Sequence, residues 1–90
     1  MAIIREQSFI EDFQNIELSD EEFQCLCGFV SLLAAGKPLL LESKDHALEG
    51  EWQSFREFHL GGDNMVIYRK EGDDVKLYRL GKHTQLYKKM

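Results

Sequence analysis

Three histidines and one aspartate are the residues of this sequence best suited to chemistry. His46 lies in a polar stretch, His59 stands four residues before Asp63, and His83 lies near the end of the chain. Histidine takes and gives protons near neutral pH because its ordinary pKa lies close to that range. Such a set suits a reaction that needs both a base and an acid, and RNA cleavage through the 2′-hydroxyl is one.

Cleavage of RNA without a metal requires two proton transfers and a source of positive charge. A base removes the proton of the ribose 2′-hydroxyl, which attacks the adjacent phosphate, and an acid protonates the departing 5′ oxygen. Cations balance the charge that builds on the phosphate oxygens. The candidates for that role are Arg56, Arg79 and Lys82, because they lie on the same predicted elements as the histidines.

Two simpler explanations compete with acid–base chemistry. A single histidine at a strand end is more often a surface or packing residue, and Asp63 after two glycines is typical of a turn. His59, Asp63 and His83 also have ligand types that zinc accepts, but their spacing matches no zinc signature. We therefore rank acid–base use first and expect neither a metal nor another cofactor.

Two helices are predicted ahead of these residues. Ser8 with Glu11 is expected to cap a short first helix, and Ser19 with Glu22 forms a capping box for the second. Gly36 is a natural stop for that second helix. Apolar residues recur at helical spacing after each cap: Phe9, Ile10, Phe13 and Ile16 in the first helix, and Phe23, Leu26, Cys27, Val30, Leu33 and Ala34 in the second.

Strand-like runs follow the helices. Residues 2–7 are predicted to form a short first strand, and three further runs cover 52–60, 64–71 and 73–80. Glycine-containing turns between the last three predict an antiparallel meander. We interpret 42–51 as a loop and 81–90 as a loop or one helical turn.

This order of elements predicts an α+β fold. We expect two N-terminal helices to pack on one face of a small, mainly antiparallel twisted sheet, as a single domain over residues 1–90. In a meander, the end of the first strand and the end of the third reach the same edge. His59, Asp63 and His83 are therefore expected to meet at one rim of the sheet.

Charge and composition narrow the classes of function. The net charge is −5, with ten acids and three bases in residues 1–50 but six acids and eight bases in residues 51–90. An acidic chain disfavours nucleic-acid binding, and the basic second half weakens that objection. No apolar run approaches the roughly 20 residues of a membrane span, and the first residues lack a signal-peptide core. We therefore expect a cytoplasmic protein with no membrane partner, in which Cys25 and Cys27 are reduced and mostly buried.

The second half of the chain resembles the YafQ branch of the RelE toxin superfamily. The resemblance covers close to half the chain, and its order and spacing are more specific than any single motif within it. The segments that carry it are KDHALEGEW at 44–52, FREFHL at 55–60, Asp63, VIY at 66–68, RLGKH at 79–83 and LY at 86–87.

The resemblance implies a RelE-like toxin fold and the toxin of a bacterial type II toxin–antitoxin pair. Such a toxin enters the ribosomal A site and cleaves messenger RNA, while a cognate antitoxin blocks it, and the pair is expected to form a heterotetramer. The positions that match the family's catalytic residues are His46, His59, Asp63 and His83. By this resemblance, His83 and the pair of His59 and Asp63 share the acid–base work, and His46 assists at the phosphate.

Two positions depart from the family's pattern. Tyr87 stands where the family usually has phenylalanine, and it keeps a ring for stacking on a base. Asn64 stands where relatives tend to have an aromatic or apolar residue, so a substrate contact is expected to change. Together with the acidic first half, Asn64 supports an alternative function. In that alternative the chain is a catalytically degenerate toxin-fold protein that binds an antitoxin and helps to regulate its operon.

Overall fold

Within residues 1–89, five strands form one mixed sheet. The computed structural model describes residues 1–89, with the side chains of residues 1–86. The strands are β1 Ala2–Arg5, β2 His46–Ala47, β3 Arg56–His59, β4 Asn64–Glu71 and β5 Asp74–Lys82. They lie side by side in the order β1-β5-β4-β3-β2. Strands β2 to β5 pair antiparallel with their neighbours, whereas β1 pairs parallel with β5 at one edge. The predicted meander is therefore confirmed.

The described part of the chain has three α-helices beside the sheet: α1 Gln7–Asn15, α2 Asp20–Ala34 and α3 His83–Lys89. The predicted capping box of α2 is confirmed, because Ser19 Oγ accepts from the Glu22 N–H and Glu22 Oε1 accepts from the Ser19 N–H, each at 3.1 Å. The predicted cap of α1 is wrong. Glu6 occupies the N-cap without a side-chain hydrogen bond, and Ser8 lies inside the helix, where its hydroxyl donates to the Tyr78 carbonyl.

Helices α1 and α2 pack on one side of the sheet, which we call the helix face. Phe29 of α2 meets Phe58 of β3 edge to face, with ring centroids 5.5 Å apart. The buried residues of this core are Phe9, Leu26, Phe29, Leu33, Phe58, Leu60, Val66, Tyr68, Val75, Leu77 and Leu80. The fold class predicted from the sequence is confirmed by this arrangement.

The opposite side of the sheet, which carries Glu57, His59, Met65 and Ile67, is called the histidine face. A smaller buried cluster of Leu48, Met65, Ile67 and Leu86 covers part of it, so α3 packs on this side. Trp52 and Phe55 are partly buried and pack against this cluster.

Several predicted boundaries are wrong in detail. The predicted loop over 42–51 contains β2 and parts of two 3-10 turns, at Leu41–Ser43 and Gly50–Trp52, while the strand predicted over 52–60 is limited to β3. Cys25 is partly buried, but Cys27 is exposed, so the expectation of two mostly buried thiols fails for Cys27. Within residues 1–89, no helix is long and apolar enough to cross a membrane.

Candidate functional site

The pairing of β2 with β3 brings two of the three histidines together. His46 is the register partner of Glu57, so both side chains share the histidine face. His59 lies two residues after Glu57 on the same strand and therefore points to the same side. A strand of two residues thus places His46 beside His59. From the sequence, His46 was expected only in a loop before the sheet.

A buried carboxylate lies between these two imidazoles. Glu57 Oε1 lies 2.8 Å from His46 Nε2 and 3.6 Å from His59 Nε2, and the two imidazoles stack with centroids 6.3 Å apart. The side chain of Glu57 is 4% exposed, against 54% for His46 and 28% for His59. The carboxylate is therefore enclosed by the sheet while both rings remain accessible from solvent.

A backbone carbonyl orients the imidazole of His46. His46 Nδ1 lies 2.7 Å from the Lys44 carbonyl oxygen, and because a carbonyl can only accept, Nδ1 is the donor. Nε2 is thereby directed at Glu57. This leaves Nε2 as the atom of His46 available for proton transfer or for binding a ligand.

The third histidine belongs to a second group at the end of β5. His83 begins α3 and lines an open cavity of about 300 Å³ together with Asp63, Lys82 and Thr84. Asp63 and His83 were predicted to meet at one rim, and they do share this cavity. The structure therefore groups Asp63 with His83, whereas His59 has Glu57 as its close carboxylate.

One row of the sheet connects the two groups. His59 pairs with Met65, and Met65 pairs with Gly81, two residues before His83. Neighbouring strands lie about 4.8 Å apart, so the backbones of β3 and β5 are roughly 10 Å apart in this row. Side chains that reach inward from both sides can contact a phosphate placed between them.

The two predicted phosphate-binding arginines are engaged elsewhere. Arg56 lies on the helix face and contacts Asp45 with Nε and Nη2, each at 3.2 Å. Arg79 starts in the same row as Glu57, but its Nε and Nη2 contact Asp12 of α1 at 2.7 and 3.1 Å. Hydrogen bonding to these carboxylates raises the pKa of both guanidinium groups.

Asn64 and Tyr87 stand differently from the other predicted residues. Asn64 is buried, and its side-chain amide donates to Glu22 Oε2 of α2 at 2.7 Å. This departure from the family's pattern therefore contacts the helix layer. The side chain of Tyr87 lies outside the described residues, so its stacking role stays a prediction.

A metal ion has one plausible set of ligands within the described part of the chain. One ligand atom from each of His46, Glu57 and His59 lies within 4.8 Å of the others. The Nδ1 hydrogen bond of His46 to a carbonyl is the arrangement that often orients metal-binding histidines. This set differs from the zinc alternative considered from the sequence, which used His59, Asp63 and His83.

Glu57 is the residue that sequence reasoning missed. Its signal was the spacing of two between Glu57 and His59 in a predicted strand, which places both on one face. The pairing with His46 had no local signal, because β2 is defined only by its contacts with β3. A glutamate in a strand is readily taken for a solvent-facing residue when its partner is unknown.

Comparisons with known proteins give the same fold over nearly the whole chain. A copper-bound mutant toxin from Helicobacter pylori superposes with a TM-score of 0.86 and 32% identity, covering 94% of this chain and 97% of that one. YafQ in the Escherichia coli DinJ-YafQ complex superposes with a TM-score of 0.81 and 26% identity, covering 94% and 96%. The helix pair, the mixed sheet and the histidine face thus define a RelE-like toxin fold.

Sequence relatives identify the branch. A protein family described as "Bacterial toxin of type II toxin-antitoxin system, YafQ" matches residues 1–88, so the chain belongs to the YafQ toxin family. A YafQ toxin of Haemophilus influenzae is 42% identical over a 52-residue alignment that covers 53% of this chain and 51% of the relative. The "mRNA interferase toxin YafQ" of Escherichia coli K12 is 34% identical over 50 residues, covering 56% and 54%. The chain thus spans about half the length of the curated relatives it matches.

Proposed function

We propose that this protein is an endoribonuclease toxin that cleaves messenger RNA on the ribosome by acid–base chemistry. The observation that carries the proposal is the approach of His46, Glu57 and His59 on one face, beside a cavity lined by Asp63 and His83. A relative named as an mRNA interferase toxin supports cleavage of messenger RNA as the activity. Because the family match extends over residues 1–88, we also propose that residues 1–90 form one toxin domain.

The reaction needs only side chains of this chain and the RNA itself. A histidine base takes the 2′-hydroxyl proton, the 2′ oxygen bonds to phosphorus, and the bond from phosphorus to the 5′ oxygen breaks as an acid protonates that oxygen. We assign the two proton transfers to His59 with Glu57 and to His83 with Asp63, and we place His46 at the phosphate. A metal is not required for any of these steps.

Positive charge at the phosphate comes mainly from the end of β5. Lys82 lines the same cavity as His83, so its ammonium group is close to one of the proposed proton-transfer residues. Arg79 lies in the row of Glu57 and would have to leave Asp12 to reach RNA. We withdraw Arg56 from this role because its guanidinium lies on the helix face. Tyr87 keeps its proposed role of stacking on a base.

The proposed partners are a cognate antitoxin, the ribosome and messenger RNA, in the cytoplasm. A structural neighbour is the DinJ-YafQ complex, which supports an antitoxin partner, and the heterotetramer is proposed from the family resemblance. The acidic helices and the buried Asn64 leave a catalytically degenerate binding module as the alternative. Such a module would bind its antitoxin tightly without cleaving RNA.

A second candidate function is metal binding at His46, Glu57 and His59. It is favoured by the convergence of their ligand atoms and by the descriptions of Helicobacter pylori neighbours as copper-bound and metal-bound. His46 Nε2 and His59 Nε2 are suitable ligands for copper or zinc. A metal that used them would occupy the nitrogens that acid–base cleavage needs, so the two functions compete.

Induced expression in a bacterial host tests the toxin function directly. We expect growth arrest with the wild type, normal growth with His83→Ala, and arrest with Gln24→Ala, a control on the exposed side of α2. Purified protein with ribosomes should cleave messenger RNA equally with and without a chelator that binds zinc and copper but leaves the magnesium of the ribosome in place. Loss of cleavage on chelation would select a catalytic metal, and normal growth with the wild type would select the binding module.

A further inference from the structure

A polar cluster that the proposed reaction does not use lies on the helix face, on the opposite side of the sheet from the histidines. Tyr68 is fully buried on the helix face, and its hydroxyl donates to Asp45 Oδ1 at 2.6 Å. Arg56 donates to both oxygens of the same carboxylate. Burial, followed by the hydrogen bond to Asp45, raises the pKa of Tyr68, so the hydroxyl stays a donor. We call Asp45, Arg56 and Tyr68 the clamp.

The clamp joins the short edge strand β2 to the centre of the sheet. Strand β2 has two residues, and it pairs with β3 only through His46 with Glu57 and Ala47 with Arg56. One further backbone hydrogen bond, from the Leu48 N–H to the Phe55 carbonyl at 3.0 Å, follows the strand, so the pairing with β3 is short and lies on the C-terminal side of Asp45. Asp45, the residue just before β2, is instead fixed by two side chains from β3 and β4.

The backbone around Asp45 passes this restraint to the His46 ring. Lys44 adopts a left-handed conformation with φ 53°, which residues with a Cβ rarely occupy, so its neighbours must hold it there. The carbonyl of Lys44 then accepts the hydrogen bond from His46 Nδ1. Asp45 therefore lies between the Lys44 carbonyl and the His46 imidazole. The relative position of these two groups directs His46 Nε2 toward Glu57.

We infer that the clamp positions His46, with Asp45, Arg56 and Tyr68 acting through the reverse face of β2 and β3. The inference rests on the proposed function, because the reaction defines what His46 is positioned for. Side chains alternate along a strand, so Asp45 and His46 face opposite sides of the sheet. The clamp thus holds the ring without touching the RNA, and its members are positioning residues.

Tyr68→Phe removes one hydroxyl and keeps the ring in the core. We expect about a tenfold lower rate of cleavage at saturating substrate, with little change in KM, because a misplaced group slows chemistry more than binding. Tyr78→Phe is the matched control, since it deletes a tyrosine hydroxyl that donates to Glu71 Oε2 at 3.4 Å and has no part in the clamp. Arg56→Lys keeps the charge but loses the two-point contact, and it should behave like Tyr68→Phe.

Combining these variants with His46→Ala separates positioning from general damage. If the clamp acts through His46, Tyr68→Phe and Arg56→Lys should cause no further loss of rate in the His46→Ala background. The same fold-loss in both backgrounds would overturn the inference, as would an unchanged rate in the single variants.

The nitrogen resonances of His46 provide a test that does not depend on cleavage. In ¹⁵N-labelled protein, we expect the wild type and Tyr78→Phe to show the Nδ1-protonated, hydrogen-bonded form, and Tyr68→Phe to lose it. Identical His46 resonances in all three proteins would refute the clamp. If the wild type failed to cleave RNA but the resonances changed as expected, the proposed function would fail while the positioning of His46 would stand.

Discussion

At the level of single residues, Asp12 makes two contacts that no local sequence pattern predicts. Its Oδ2 accepts from the Leu80 N–H at 2.9 Å, at the part of β5 that extends beyond β1. The same carboxylate pairs with Arg79, and both side chains are mostly buried, at 19% and 13% exposed. Asp12 therefore closes a sheet edge and neutralises a guanidinium in one contact.

Replacing this carboxylate should destabilise the fold. Asp12→Asn leaves an oxygen for the Leu80 N–H but removes the charge that Arg79 needs, and we expect a loss of about 2 kcal/mol in the free energy of unfolding. Urea denaturation at pH 7 measures it. Glu11→Gln, on the exposed neighbouring position of α1, should cost under about 0.5 kcal/mol. Equal losses in the two variants would contradict the assigned role of Asp12.

The residues that sequence reasoning recognised are those whose chemistry is unusual for their position. His46, His59, Asp63 and His83 were singled out, and the structure places them in two neighbouring groups. Glu57 and Asp12 were missed because their partners, His46 and Arg79, are distant in sequence and a lone acid resembles a surface residue. Arg56 and Arg79 were chosen because they lie on the same predicted elements as the histidines, but only tertiary contacts show which carboxylates they meet.

At the level of elements, a helix or strand was predicted well when residues within or beside it mark its ends, and poorly when distant contacts form it. Helix α2 was predicted well because its start is encoded within four residues by Ser19 and Glu22, and Gly36 lies just beyond its end. Strands β4 and β5 were marked by the glycine turn between them. Strand β2 exists only through pairing with β3, so no local pattern identifies it. Helix α3 is likewise stabilised by Leu86 against the sheet, which a short polar tail does not reveal.

The start of α2 should make stability depend on pH. Hydrogen bonds from the Ser19 backbone and then from the Asn64 side chain lower the pKa of Glu22 from its ordinary value. A lowered pKa stabilises the fold above the unfolded-state pKa, and this contribution is lost as the pH falls through the folded-state pKa. We expect Glu22→Gln to be less stable than the wild type by about 1 kcal/mol at pH 7, with the gap closing in acid.

Denaturation of matched variants from neutral pH to below the ordinary pKa of glutamate checks this expectation. Glu21→Gln is the control, because Glu21 lies in the same first turn of α2 without a part in the capping box. Its smaller loss reflects only the helix dipole. A gap for Glu22→Gln that stayed constant on acidification would show that the carboxylate contributes nothing through its charge.

At the level of the whole molecule, charge is divided between the two halves of the chain. Residues 6–36, which include α1 and α2, contain seven acids and no base. The bases are concentrated in residues 51–90, which supply most of the histidine face. Phosphate is therefore repelled from the helix layer and attracted to the sheet end near Lys82. An acidic net charge is compatible with RNA binding when the contacts are few and lie on one face.

The salt dependence of RNA binding should reveal how few those contacts are. For single strands, the logarithm of the association constant falls with the logarithm of salt concentration by about 0.7 per phosphate contacted. With a 2′-O-methyl RNA that cannot be cleaved, Lys82→Ala should make the slope shallower by about 0.7. Lys37→Ala, an exposed lysine in the loop after α2, should leave it unchanged. Equal slopes for Lys82→Ala and the wild type would show that the RNA binds away from the cavity of His83. That result would contradict the proposed position of the phosphate.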